Sequence, residues 1–273
     1  MKLKFYGTAA AEGIPAPFCT CKVCEHARAF GGKNIRTRHL STIDDDIQMD
    51  IGPDFFWHTV HNGLDAMRIR HLILTHSHGD HMDKLWINNR AHPYSLTGAQ
   101  RINLVAGKKV LDVLETSLEK SFEQIAADPV IAVPFERIAL DENTFVTAMP
   151  ARHHRSQNDA MIYLIERGGK KLLYAHDTGL FHQEATDFLA GKDIDAATLD
   201  CTGTYLGAGG EHMDFSGCEE MVKRLKANGA LKPDAKIIVN HYSHGGGANH
   251  DEIDMEAKKR GWYASYDTFE IEI

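Results

Sequence analysis

The apolar positions fall in short runs divided by polar turns. LKFYGT (3–8) ends its run at Gly7 and predicts a first strand. TIDDDIQMDIG (42–52) alternates on both sides of an acidic turn and stops at Gly52 and Pro53, which predicts a hairpin. HLIL (71–74), RINLVAG (101–107), IDAATLDC (194–201) and AKIIVNH (235–241) read as further strands. AMIYLIERGGKKLLYAHD (160–177) reads as two strands about a Gly168-Gly169 turn. Over residues 108–127, apolar side chains recur at Val110, Leu111, Leu114, Leu118, Phe122 and Ile125, a spacing that predicts one helix. A second clear helix is predicted from Ser216, with Ser216 and Glu219 as a capping box and Gly229 as its stop. Hairpins outnumber strand–helix alternations, so a doubly wound parallel sheet is not expected. The pattern predicts an α/β αββα sandwich of two mixed sheets flanked by helices, formed by residues 1–273 as one domain.

Four of these strands run into side chains suited to metals. LILTH leads to His76 and then to His78, Asp80 and His81. LLYAHD ends at Asp177, TLD at Asp200, and IIVNH at His241. The segment after TFVTAMP adds the adjacent pair His153 and His154, of which His153 is favoured by its spacing from Pro150. Strand ends place ligands rigidly on one rim. Neutral imidazole with carboxylate suits zinc or manganese and also admits iron. Two cations about 3.5–4 Å apart need a shared group, and water held between them ionises near neutral pH. The other histidines, His39 and His250 among them, read as surface or core residues.

Composition narrows the partner. The 273 residues are 43% hydrophobic and 25% charged, with a formal net charge of −8. That balance does not favour a long nucleic acid. No apolar stretch approaches the ~20 residues that span a bilayer, and MKLKFYGTAAAEGIP is too polar for a signal peptide. A cytoplasmic protein is expected, with room for a homodimer. Five cysteines include C-x-C-x-x-C at Cys19, Cys21 and Cys24. In a reducing compartment this points to metal or redox chemistry and not to a disulfide framework. Structural zinc takes four ligands, and Cys201, Cys218 and His244 are candidates for the fourth.

The run Thr75-His76-Ser77-His78-Gly79-Asp80-His81 is similar to the T-H-x-H-x-D-H signature of the metallo-β-lactamase superfamily, and the later stations follow in order. The resemblance implies His76, His78 and His153 on a first divalent ion, Asp80, His81 and His241 on a second, and Asp177 between them. It implies hydroxide attack from between the metals. Charge supports a phosphate ester, because two cations outweigh Asp80, Asp177 and a hydroxide.

G-T-A-A-A-E-G-I-P-A (7–16) followed by the cysteines resembles the phosphoribosyl 1,2-cyclic phosphate phosphodiesterase family. That resemblance implies a structural zinc on Cys19, Cys21, Cys24 and His244, and a small, cyclic phosphodiester as substrate. It makes His212, in His212-Met213-Asp214-Phe215, a phosphate contact or proton donor beside the catalytic Asp80 and Asp177. The stretch RHHRSQNDAM (152–161) is longer than that family's usual loop. Rival readings are an RNA phosphodiester hydrolase, a lactone or thioester hydrolase, and a redox protein like the pyrroloquinoline quinone biosynthesis branch.

Overall fold

The computed structural model describes residues 1–153, 160–206 and 210–273. The strands are β1 (Lys2–Gly7), β2 (Leu40–Ile43), β3 (Ile47–Met49), β4 (His71–Ile73), β5 (Ile102–Ala106), β6 (Ala127–Ile131), β7 (Arg137–Ala139), β8 (Thr144–Pro150), β9 (Met161–Arg167), β10 (Lys170–Ala175), β11 (Ile194–Asp200), β12 (Leu231–Asn240), β13 (Tyr263–Ala264) and β14 (Glu270–Glu272). The helices are α1 (Lys22–Phe30), α2 (Phe55–His61), α3 (Lys84–Asn88), α4 (Lys108–Ser117), α5 (Gln183–Leu189), α6 (Phe215–Ala227) and α7 (His250–Lys259).

Among the described residues the strands form two sheets, ordered β14-β1-β2-β3-β4-β5-β6 and β13-β12-β11-β10-β9-β8-β7. Each sheet is half antiparallel and half parallel. In the first, β14, β1, β2 and β3 pair antiparallel, and β3 to β6 pair parallel. In the second, β7 to β10 pair antiparallel, and β10 to β13 pair parallel. The two inner faces meet through Phe5, Ile47, Ile73, Tyr163, Leu172 and Ile238, all fully buried. The outer face of the second sheet packs on α5, α6 and α7 through Leu189, Met221, Leu225 and Ile253. The outer face of the first packs on α3 and α4 through Ile87, Val110 and Leu114. This is the expected αββα sandwich.

The expected hairpins form. Asp44 and Asp45 take φ of 50° and 65° in the acidic turn, and Gly168 and Gly169 take 58° and 77° in the other. Gly168 and Gly169 are the whole loop between the paired Arg167 and Lys170, and positive φ at both matches the twist of the flanking strands. Two expectations about helices are corrected. The helix over 108–127 ends at Ser117, because Leu118 turns to extended backbone, and the chain then forms β6 at the sheet edge. The second helix is capped by Asp214, not Ser216: the Asp214 carboxylate accepts from Gly217 N at 2.8 Å. A capping box does occur at α7, between Asn249 and Glu252. Among the described residues, no helix is long and apolar enough to cross a membrane.

Candidate metal centre

Strand direction decides what gathers at the rim. β3 and β4 are parallel, so Asp50 and the His76–His81 loop leave the first sheet on one edge. β2 runs against β3, so its first neighbour, His39, starts there, and the end of β1 leads its loop to the same edge. In the second sheet β8 runs with β10, β11 and β12, so His153, Asp177, Asp200 and His241 emerge together. Ligand sites in sheets with parallel strands lie beyond the carboxyl ends of those strands.

The side chains converge in two groups. His76 Nε2 lies 3.0 Å from His78 Nδ1, which lies 3.3 Å from His153 Nε2. His81 Nε2 lies 3.2 Å from Asp80 Oδ2 and 3.3 Å from His241 Nε2. Asp177 stands between the groups. Its Oδ1 is 3.7 Å from His153 Nε2, and its Oδ2 is 3.0 Å from Nε2 of both His81 and His241. His154 and the rest of residues 154–159 lie outside the described residues.

Hydrogen bonds to the outer nitrogens fix how the rings present themselves. Thr75 Oγ1 donates to Asp50 and so accepts from His76 Nδ1 at 3.0 Å. His81 Nδ1 donates to Asp50 Oδ2 at 2.8 Å. Thr202 Oγ1 donates to the His241 carbonyl at 2.7 Å and accepts from His241 Nδ1 at 2.9 Å. His153 Nδ1 donates to the Glu211 carbonyl at 3.4 Å. The Nε2 atoms of these four rings are thereby turned toward Asp177, the arrangement that outer partners impose on metal-binding histidines.

This donor set fits divalent cations. Asp177 Oδ2 is buried, yet the two imidazole nitrogens beside it make no hydrogen bond to it. Imidazole nitrogens and a carboxylate oxygen that close on one point without a well-aligned hydrogen bond suit a cation. Burial, reinforced by His81, holds His76 well below the usual imidazole range, so its lone pair is available. For His81, burial acts downward, but Asp177, Asp80 and Asp50 together raise it well above that range. A cation among the same carboxylates would displace that proton. Asp50, Asp177 and His241 carry φ of 62°, 49° and 64°. Such strain costs on the order of 1–3 kcal/mol per residue and clusters at functional sites.

The loop holding His78, Asp80 and His81 is pinned from below. Ile51 N donates to the His81 carbonyl at 2.8 Å, and Asp83 N to the Ile51 carbonyl at 2.7 Å. A Cβ on Gly52 would sit 2.2 Å from the Asp80 carbonyl oxygen, so only glycine permits this approach. Asp50 was not legible as a site residue, although its place at the end of IQMD, two residues before Gly52, was the available signal. Asp50→Asn leaves a weaker partner for His81. It is expected to reduce metal affinity by about 10–100-fold, read by competition with a chromogenic chelator.

His212 approaches from the far side. Its Nδ1 lies 2.8 Å from Asp200 Oδ2 and 3.9 Å from Asp177 Oδ1. Asp200 is fully buried and also accepts from the backbone N–H groups of Thr202, Thr178 and Met213. Burial alone would lower His212, but the Asp200 carboxylate raises it to about 9. The strand-end residue Asp200 therefore serves His212 and is not among the two groups just described.

A third cluster lies beside the rim. Sγ of Cys19, Cys21 and Cys24 and a nitrogen of His244 all fall within 4.8 Å of one another. A tetrahedron with Zn–S bonds of about 2.3 Å has edges of about 3.8 Å, so the set is nearly closed. Both Cys19 Sγ and Cys21 Sγ are 3.4 Å from His244 Nδ1. For Cys21, burial acts upward, but the Cys24 amide and His244 lower it to about 6, favouring the thiolate a metal needs. The rival fourth ligands lie elsewhere in the core: Cys201 and Cys218 are fully buried, and Cys218 Sγ donates to the Asp200 carbonyl at 3.0 Å. Sequence reasoning also missed Glu12, whose Oε1 lies 3.4 Å from His244 Nε2 and accepts from Ser243.

Residues 47–233 match the family model of the β-lactamase superfamily domain. The fold is similar to that of a diphosphatase from the PhnP family, with 22% identity and a TM-score of 0.75 over 100% of this chain and 97% of that one. It is similar to Zn²⁺-bound PqqB from Methylobacterium extorquens, with 17% identity and a TM-score of 0.74 over 100% of both chains. It is similar to the short form of human tRNase Z, with 16% identity and a TM-score of 0.63 over 100% of this chain and 99% of that one. No curated protein matches the chain by sequence.

Proposed function

The chain belongs to the β-lactamase superfamily, and from that premise we propose that it is a dinuclear metal-dependent hydrolase acting on a small phosphodiester, cyclic esters included. The observation that carries this reading is Asp177, which turns one oxygen toward each imidazole group and has no hydrogen bond to Oδ2. The likeness to a PhnP-family diphosphatase supports a phosphate ester.

In this reading His76, His78 and His153 hold one cation, Asp80, His81 and His241 hold the other, and Asp177 is shared. When bound, the cations supply Lewis acidity and make water nucleophilic near neutral pH. Zinc and manganese both suit the donors. The chain's own contribution is positional and protonic. Asp50, Thr75 and Thr202 keep the rings aimed. His212, tied at Nδ1 to Asp200, is left to deliver a proton from Nε2 to the departing alkoxide. Asp200 stays ionised throughout and steadies the imidazolium. Cys19, Cys21, Cys24 and His244 take a structural zinc that fixes the N-terminal loop.

An acid matters most when the leaving group is a poor one. His212→Ala is therefore expected to lower kcat on a cyclic alkyl phosphodiester by about 10²–10⁴-fold. On bis-p-nitrophenyl phosphate, whose phenolate leaves unaided, the loss stays within about tenfold. Steady-state kinetics on the two substrates check this; equal losses would assign His212 to binding alone.

A further inference from the structure

Beneath the two metal-facing groups lies a buried polar cluster that the proposed reaction does not use. His39 enters it from the first sheet, just before β2, and is fully buried. Its Nδ1 lies 3.0 Å from Asn240 Nδ2, and its Nε2 lies 3.2 Å from His176 Nδ1. Asn240 ends β12 and His176 follows β10, so one ring from the first sheet is fastened to two strands of the second. Each partner immediately precedes a residue of the metal centre: His176 precedes Asp177, and Asn240 precedes His241.

One set of proton positions satisfies the whole cluster. Ser265 Oγ donates to Asn240 Oδ1, and the Asn240 amide donates to His39 Nδ1. His39 Nε2 then donates to His176 Nδ1, and His176 Nε2 donates to Thr198 Oγ1 at 2.7 Å. The His39 N–H also meets the Tyr174 hydroxyl, which turns its own proton to Ser41 Oγ at 2.8 Å. This assignment needs both imidazoles neutral. Burial holds both below the usual imidazole range, reinforced by His176 at His39 and by His241 at His176. A buried network with every member satisfied is rigid, and one broken link leaves polar groups unmet.

Rigidity is wanted at these two strand ends. Asp177 and His241 hold φ of 49° and 64°. Such backbone persists only where its surroundings over-determine it. His39 supplies that restraint at the residue before each. Its ring also lies beside those of His81 and His241, with centroids 5.8 and 5.9 Å away. We propose that His39 is a positioning residue, which locks the strand ends carrying Asp177 and His241 to each other and to the first sheet and so sets the gap that a cation fills among Asp177, His81 and His241. The inference rests on the dinuclear reading.

His39→Gln and His39→Phe test it. The Gln amide reaches about as far as Nε2, keeping the His176 link and giving up that to Asn240; Phe keeps a ring and gives up both. Zinc titrated in competition with a chromogenic chelator counts the ions and ranks their affinities. Wild type should hold two ions besides any on the cysteines. In His39→Phe one of the two should weaken by about 10–100-fold, and in His39→Gln by a smaller factor of at least about threefold. The other ion should stay within about twofold, since its histidines do not depend on His39. At saturating zinc, kcat on bis-p-nitrophenyl phosphate should fall by about tenfold in His39→Phe, with KM within about twofold. A lowered Tm with unchanged affinities and kcat overturns the proposal, because a ring that only fills the core gives that result. Equal weakening of every ion also overturns it. If His39→Phe does not fold, His39→Gln decides alone by the same criteria. Fewer than two such ions in wild type overturns the dinuclear reading and the proposal with it, whereas two ions in wild type with unaltered variants overturns the proposal only.

Discussion

Asp177→Asn is expected to lower kcat/KM on bis-p-nitrophenyl phosphate by on the order of 10³-fold or more, a loss of several kcal/mol in transition-state stabilisation. The substitution keeps the shape and removes the charge. It also replaces one carboxylate oxygen with an amide NH₂. Asp177 Oδ2 is 3.0 Å from Nε2 of both His81 and His241. An amide placed there would donate to those lone pairs and compete with a cation for them. If the amide is flipped, the NH₂ instead faces His153, 3.7 Å from the present Oδ1. Either way one group loses its shared ligand. Metal analysis should therefore show the variant short of one active-site ion relative to wild type. The fold should tolerate the change, because φ at this position is 49° and asparagine accepts that conformation readily. A variant with full metal content and wild-type turnover would end the shared-carboxylate reading. Asp177→Glu is the companion test, since it restores the charge and displaces it by one methylene.

How much of this was open to the sequence depends on the range of the interaction involved. Short apolar runs bounded by turn residues mark strands locally, so the strands leading to His76, Asp177 and His241 could be read, and the ligands with them. The mirrored build of the two sheets could not, because pairing such as β1 with β14 joins residues 270 apart, Lys2 to Glu272. The misread helix shows another limit. Leu118, Phe122 and Ile125 keep helical spacing, but Asn88 Oδ1 captures Glu119 N at 3.1 Å and Ser121 turns back on Gln124. Tertiary contacts override spacing there, and Pro129 in β6 then fits an edge strand. At α6 the cap passes to Asp214 because Met213 N is held by Asp200 at 3.3 Å, which fixes the entry of the chain. Thr202 and Glu12 act through other side chains and carry no spacing of their own.

The other large effect concerns the cysteine cluster. Cys21→Ser is expected to remove one zinc per chain and to lower Tm by about 10 °C. Zinc sites in small domains supply on the order of 10 kcal/mol of folding free energy. Here α1 is also held by packing of Val23 and Ala27 in the core, so about 3–5 kcal/mol of that is at stake. At roughly 2–4 °C per kcal/mol for a chain of this size, the shift is near the stated value. Cys21 is preferable to Cys24, which is fully buried and would add a packing loss. Upstream the loop is held through Ile14, whose backbone pairs with that of Arg36, but around the cysteines it is less tied. Phe18 stands fully exposed, and Arg28 ties the loop only through the carbonyls of Ala16 and Cys19. The damage should reach the metal centre, because Tyr242, between His241 and His244, pairs with Thr8 and Ala10 through backbone hydrogen bonds of 2.9 Å. Loosening that segment shifts His241 without removing any active-site ligand. Activity should thus fall by about tenfold while the active-site metal content stays near wild type, a small misplacement costing rate more than binding. Unchanged zinc content and Tm in Cys21→Ser would show that the four side chains meet without a metal.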